Sequence, residues 1–137
     1  MTLQISRSPF EVKRIDPAKI LIKTDNENVE LTVYLIPIAV YATPDYKNIS
    51  SVVNPVVVVS SDSPRMGEMC NPMKLVSHSP AKMEMKVLHE GETEITVNDK
   101  VYVIRASVTN MNVYTDMRDQ LGNPCVSASW ITLTIAK

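Results

Sequence analysis

Two long β-prone runs constrain the fold of this chain more than any other feature of its sequence. Residues 100–114 and residues 125–136 are both rich in Val, Ile and Thr, and each run adds an aromatic residue. These residue types fit a half-buried pleated surface. The intervening segment, 115–124, holds Asp, Gly, Asn and Pro, which favour a bend between two strands. We therefore expect a long antiparallel hairpin that serves as the scaffold, with 126–135 as a core strand.

The remainder of the chain also has the period of strands rather than of helices. Residues 29–35 alternate cleanly, and Pro37 then predicts a bulge or the end of strand pairing. Residues 56–59 are apolar on both faces, which predicts a central or covered strand that begins after a break at Asn54–Pro55. Residues 82–87 alternate as well, with Met83, Met85 and Val87 inward, and residues 3–6 fit a short edge strand.

These patterns predict an all-β protein with a single domain over residues 1–137. No apolar residues recur at helical spacing over three turns, and no linker or repeat divides the chain. We expect an antiparallel β-sandwich, immunoglobulin-like or jelly-roll-like, or a barrel, of about seven to nine strands. One long loop at 61–80, which contains three prolines and little periodicity, should leave the sheet.

Composition limits the classes of partner. The formal net charge is −1, so we expect neither nucleic acid nor a membrane as the main partner. The first 23 residues are locally basic and residues 84–99 are locally acidic, a pattern that could align neighbouring copies. No secretory signal is visible, which predicts a protein that is cytoplasmic when made, or part of a virion.

The 61–80 loop and the bend of the hairpin hold the candidate interaction residues. Methionine adapts to irregular contacts, so the methionines of the loop are suited to an interface. A bend at the tip of a long hairpin is well placed to meet a partner. The residues that we expect to face a partner are Met66, Met69, Met73, Asp116, Arg118 and Asp119.

Metal and cysteine chemistry are weaker interpretations of the same segments. Thioether, thiolate and imidazole groups suit a soft ion such as Cu(I), but their spacing here matches no closed metal site. Calcium at the bend is opposed by the order of Asp116, Asp119 and Asn123, which lacks the alternating carboxylates of a calcium loop. Two cysteines form no disulfide framework, so we expect free, at least half-buried thiols. The candidate soft-metal ligands are Met66, Met69, Cys70, Met73 and His78.

No constellation typical of an enzyme is present. His78 and His89 are the only histidines, and there is no nucleophile elbow, Cys-x-x-Cys pair, zinc-protease motif or phosphate-binding glycine loop. We therefore expect no catalytic residue and no cofactor. Arg105 is expected at the sheet surface, and Trp130, the single tryptophan, in the core.

Three functions remain open on these grounds. The leading hypothesis is a non-enzymatic structural protein that packs against other copies or partner chains as a homo-oligomer, for example as a component of a virus or phage particle. The alternative is a ligand-binding module for carbohydrate or a small molecule, with Trp130, Tyr41, Tyr46 and Tyr114 as its aromatic platform. The third is a soft-metal protein that binds copper through the 66–78 segment.

Overall fold

The computed structural model describes residues 4–137 as two β-sheets packed face to face, which confirms the predicted β-sandwich. Residue 3 of the predicted first strand lies outside the described residues, and that strand is observed at Ser6–Ser8. Sheet A contains β1 (Ser6–Ser8), β3 (Ala18–Thr24), β4 (Asn28–Ala42), β5 (Ile49–Ser61) and β7 (Met83–His89). Sheet B contains β2 (Glu11–Asp16), β6 (Glu68–Met69), β8 (Glu92–Val97), β9 (Lys100–Arg118) and β10 (Pro124–Ala136).

One long strand forms the centre of each sheet. In sheet A, β4 pairs with β5 along one side, and with β3 and then β1 along the other, while β7 lies outside β3. In sheet B, β9 pairs with β10 along one side, and with β8 and then the two-residue β6 along the other, while β2 lies outside β8. All pairs are antiparallel except β6 with β9. The predicted hairpin is therefore β9–β10.

Two strands that the sequence placed inside the sheets lie at their edges. β5 is continuous from Ile49 to Ser61, so the predicted break at Asn54–Pro55 is wrong. Pro55 is tolerated because an edge strand has one open side, toward which a missing N–H can face. Of the two positions predicted for 56–59, central or covered, the central one is wrong, since β5 pairs only with β4. Likewise, 126–135 belongs to the edge strand β10, which pairs only with β9.

The bulge at Pro37 is observed as predicted. The β4–β5 register shifts between Pro37 and Ala39, so Ile38 stands out of the ladder and is exposed. A proline cannot donate a ladder hydrogen bond, and a bulge removes that requirement.

Two of the crossings between the sheets lie next to each other. β2 in sheet B leads through Pro17 into β3 in sheet A, and β7 in sheet A leads through Gly91 toward β8 in sheet B. A Cβ atom on Gly91 would lie 2.3 Å from both the Ala18 nitrogen and the Asp16 carbonyl oxygen. The two crossings therefore pack backbone against backbone, which requires a residue without a side chain.

The core lies between the sheets and is built by alternation along the strands. Each strand presents every second side chain to the opposite sheet. Thr93 is the polar member of this layer, and its hydroxyl donates to the Leu35 carbonyl at 2.7 Å. The most deeply buried apolar residues of this main cluster are Ile22, Val29, Leu31, Val33, Val40, Ile95, Val97, Ile104 and Val113.

The predicted 61–80 loop is partly structured. We call residues 62–81 the cap, because they fold over the tip of the β9–β10 hairpin. The cap contains β6 and one short helix, α1 (Pro72–Leu75), whose first turn is capped by the Asn71 side chain. Arg65 N–H donates to the Gly122 carbonyl at 3.0 Å and Ala81 N–H to the Val113 carbonyl at 2.7 Å. These bonds fix the cap at both of its ends.

A disulfide joins the cap to the hairpin. Cys70 in the cap and Cys125 at the start of β10 are bonded, with their Cα atoms 5.8 Å apart. The expectation of two free thiols is therefore wrong. Sequence spacing could not reveal the pair, because the cysteines are 55 positions apart and only the fold of the cap brings Cys70 to the hairpin.

Candidate interaction surface

The residues predicted to face a partner divide into exposed and buried groups. Met66, Met69 and Met73 lie exposed on the cap, and Asp116 is exposed near the tip. Asp119 lies in the turn, where its carboxylate accepts from the backbone N–H groups of residues 121 and 123. Arg118 is the exception. Its side chain is 1% exposed, so its assignment as a partner-facing residue is wrong.

Arg118 forms a buried ion pair beneath the cap. Its guanidinium donates to both carboxylate oxygens of Glu27, at 2.9 and 2.5 Å, and the Glu27 side chain is also 1% exposed. The guanidinium also donates to the Thr115 and Gly122 carbonyls, and the Ser61 hydroxyl donates to Glu27. Burial alone would raise the pKa of Glu27, but the hydrogen bonds from Arg118 and Ser61 outweigh it and lower that pKa. This ion pair holds parts of the protein together, and its hydrogen bonds leave no position for a ligand.

The candidate soft-metal ligands do not converge. Cys70 is held in the disulfide, so it offers no thiolate. The His78 ring nitrogen Nδ1 instead lies 2.5 Å from the Asp116 carboxylate, which lowers the pKa of Asp116. Met66 and Met73 are about nine-tenths exposed. Among residues 4–137, no three His, Cys, Asp or Glu side chains stand close enough to hold a metal ion.

The opposite charges of the two sequence segments meet within one chain. On the outer face of sheet B, Arg14 of β2 contacts Glu92 at 2.8 Å and Glu94 at 3.1 Å, both on β8. Arg105 contacts Glu92 and Lys137 contacts Glu94, so Arg105 is at the surface as expected. The hydrogen bonds with these cations lower the pKa of both glutamates. Arg14, Glu92 and Glu94 are therefore compensated within the chain, and the alignment of neighbouring copies by the other charges of the two segments stays a prediction.

Trp130 lies at the margin of the core. It packs partly buried against the core residues and lines a cleft of about 310 Å³ between the sheets. Its neighbours there are mainly apolar and include Ile20, Leu35 and Val108, while Glu90 and Arg105 supply charge. The predicted aromatic platform is not assembled, because Tyr41 lines a different depression and Tyr114 is buried in a second cluster with Met117 and Cys125.

The largest feature that the contacts above do not explain is the absence of charge from two edge strands. β5 and β10 each have 13 residues, and neither contains Asp, Glu, Lys, Arg or His. The two strands lie on the same side of the sandwich, where the Thr134 hydroxyl donates to the Ser51 hydroxyl at 3.0 Å. We call these two strands, with Ile38 beside them, the uncharged side.

The outward faces of these strands are apolar. Val53, Val57 and Val59 of β5 pack against the core, so the alternate residues of that strand face solvent. The same alternation on β10 follows from the inward positions of Val126 and Trp130. The exposed apolar residues of the uncharged side are 40–64% exposed: Ile38, Val52, Val56, Val58, Ile131, Leu133 and Ile135.

The edge strands on the opposite side of the sandwich carry charged residues. β2 carries Glu11, Lys13, Arg14 and Asp16 within six residues, and β7 carries Glu84 and Lys86. Charged side chains on an edge strand discourage pairing with another chain, and natural sheets use them for that purpose. Of these four edge strands, β5 and β10 are therefore the two that lack charges to discourage pairing.

The sequence contains part of the signal for this surface. Residues 49–61 and 124–136 carry no charge in a chain that is 21% charged, a property that they share with residues 31–44, most of which belong to the central strand β4. Among the described residues, no helix is long and apolar enough to cross a membrane.

Comparison with protein-family models, curated proteins and solved structures finds no match to this chain, so the surface is interpreted from its own chemistry.

Proposed function

We propose that this protein is a non-enzymatic structural protein whose uncharged side packs against other protein chains. The observation that carries the proposal is the contrast between the two sides of the sandwich. One side ends in two long strands with apolar outward residues and no charge, and the other ends in strands that carry charges.

The physical argument rests on two kinds of unsatisfied surface. An edge strand presents unpaired N–H and C=O groups, which a strand from another chain can pair. The seven exposed apolar side chains add a hydrophobic contribution. Covering one such half-exposed side chain contributes about 1 kcal/mol, half of the value for full burial. Backbone pairing therefore favours association along these two edges, and apolar contact adds to it on the outer face of each sheet.

The disulfide supports a working environment that is oxidising. Disulfides persist outside cells and on the surfaces of cells and virions, where the thiol-reducing systems of the cytosol do not act. A particle component made in a cell and used outside it fits both the Cys70–Cys125 bond and an assembly role. A virus or phage particle protein is the concrete form of this proposal.

Association measured in solution tests the proposal. We expect the purified protein to run as a species heavier than 15.3 kDa in size-exclusion chromatography with light scattering, or to co-purify with a protein partner from its native source. Amide hydrogen exchange should then protect β5 and β10 more than β2 and β7. A protein that stays monomeric at every concentration and retains no protein partner contradicts the proposal.

The inter-sheet cleft favours a second candidate function, a binding module for a small apolar ligand. Its volume of about 310 Å³ is at the lower end of the range for small-molecule sites, and its lining is mainly apolar with Glu90 and Arg105 among the few polar groups. This candidate predicts that an apolar ligand shifts the fluorescence of Trp130. Unchanged emission through a titration with apolar dyes and fatty acids opposes it.

A further inference from the structure

We propose that the partner at the uncharged side is a second copy of this chain, paired antiparallel through β10 about a two-fold axis at Leu133. The inference rests on the proposed function and adds to it the identity of the partner, the strand and the register. Sheet B of one copy would continue into sheet B of the other.

β10 is the better of the two open edges for a continuous ladder. β5 contains Pro55 near its middle, and a proline lacks the N–H that a new strand would require. From Cys125 to Ala136, β10 contains no proline, so every second residue, whose N–H and C=O point away from β9, offers both a donor and an acceptor. The only proline of β10 is Pro124, at its first position.

The side chains of β10 select the register. In an antiparallel pair related by a two-fold axis, one residue lies opposite itself, and residues equally distant from it lie opposite each other. With Leu133 at the axis, Ile131 of one copy lies opposite Ile135 of the other. All three are exposed on the same outward face. On the other face, Thr132 lies opposite Thr134, and their hydroxyls can bond across the strands.

The two-fold axis at Leu133 also brings the β5 strands of the two copies together. The Ser51–Thr134 hydrogen bond sets β5 alongside β10, and Val59 and Val126 line one depression at the other end of the strands. The two strands are thus antiparallel to each other, and Val52 falls across the sandwich from Leu133. A two-fold axis perpendicular to sheet B at Leu133 passes near Val52, which is 49% exposed. The exposed valine of one copy then meets that of the other.

Charge identifies the second copy as the occupant. A surface that bound a different charged chain would carry complementary charges at its rim. β5 and β10 carry none, so two identical surfaces meet without like-charge repulsion. Self-pairing about one axis also closes after two copies, which avoids open growth along the edge.

The test uses two opposite charges at the axis. In Leu133→Lys, two ammonium groups would lie directly opposite each other, and two apolar contacts would be lost. The dimer dissociation constant should rise roughly a hundredfold. Leu133→Glu should weaken the dimer to the same extent. An equimolar mixture of the two variants should form a heterodimer, since lysine then faces glutamate, and native mass spectrometry distinguishes it from either homodimer.

Leu88→Lys is the matched control. Leu88 lies on the edge strand β7 of the opposite side and is 49% exposed, against 58% for Leu133. The control should remain a dimer. Circular dichroism and thermal unfolding of all three variants check that each one is folded.

The outcomes separate the dimer from the broader function. A monomeric wild type that retains another protein from its source overturns the dimer and leaves the assembly function in place. A wild-type dimer that persists in Leu133→Lys, or a mixture that forms no heterodimer, overturns the β10 register. A monomer without any partner overturns both proposals.

Discussion

At the scale of single residues, the Arg118–Glu27 pair joins three parts of the chain. Glu27 lies in the turn between β3 and β4, Arg118 ends β9, and the Ser61 hydroxyl reaches the same carboxylate from the end of β5. A buried charge is costly unless its partner is held in place. The pair therefore ties the tip of the scaffold hairpin to sheet A.

Removal of one member of this pair should be strongly destabilising. Arg118→Met leaves the Glu27 carboxylate buried without its main partner, and we expect a loss of about 3–5 kcal/mol in the free energy of unfolding. Urea denaturation measures the loss. Arg105→Met removes an arginine whose side chain is 57% exposed, and it should cost less than about 1 kcal/mol. Equal losses in the two variants would contradict the structural role of the buried pair.

The positions of some of these residues were predicted from the sequence, but the groups that surround them were not. The turn chemistry of Asp119 and the surface position of Arg105 follow from local sequence, and both are observed. The burial of Arg118 does not follow, because its carboxylate partner is 91 residues away and the cap that covers it has no periodicity. The Cys70–Cys125 bond was missed for the same reason.

At the scale of elements, the cap depends on its covalent bond to β10. The helix α1 has four residues, none of them buried, and β6 has two. Elements of this size supply little stability of their own. Hydrogen bonds and the Cys70–Cys125 disulfide must therefore hold the cap in place.

The double variant Cys70→Ser, Cys125→Ser should lower the free energy of unfolding by about 4 kcal/mol, from the entropy of closing a loop of this length. Limited proteolysis should then cut within residues 62–81 before the strands. Wild-type protein treated with a reductant is the control and should behave like the variant. Two reactive thiols in denatured, unreduced wild type would contradict the bond.

The strands were predicted more reliably than their places in the sheets. Alternation located β4 and β7, residue composition located the β9–β10 hairpin, and Pro37 located the bulge. The apolar run at 56–59 correctly suggested a strand, and its central position was wrong. Two-sided apolar character indicates that a strand should be covered, and it does not say whether the same chain or another chain supplies the cover.

At the scale of the whole molecule, charge is divided between two sides. The ion pairs of Arg14, Arg105, Glu92 and Glu94 lie on sheet B toward β2 and β8, and the uncharged side lies at β5 and β10. The formal net charge of −1 does not show this division, because it sums over the whole chain. Assembly was predicted from the sequence without a surface, and the fold was needed to show that the uncharged strands lie together, because neighbouring positions in space are distant in sequence.

The absence of charge from β5 and β10 determines how solution conditions should act on association. Exposed ion pairs weaken as salt screens them, whereas apolar burial does not. Raising sodium chloride should therefore leave the dimer dissociation constant within about twofold, as sedimentation would show, and sulfate should strengthen the dimer. Cooling should loosen it, since the hydrophobic contribution decreases at low temperature. A dimer that separates in salt and tightens in the cold would be held by charges that these strands do not possess.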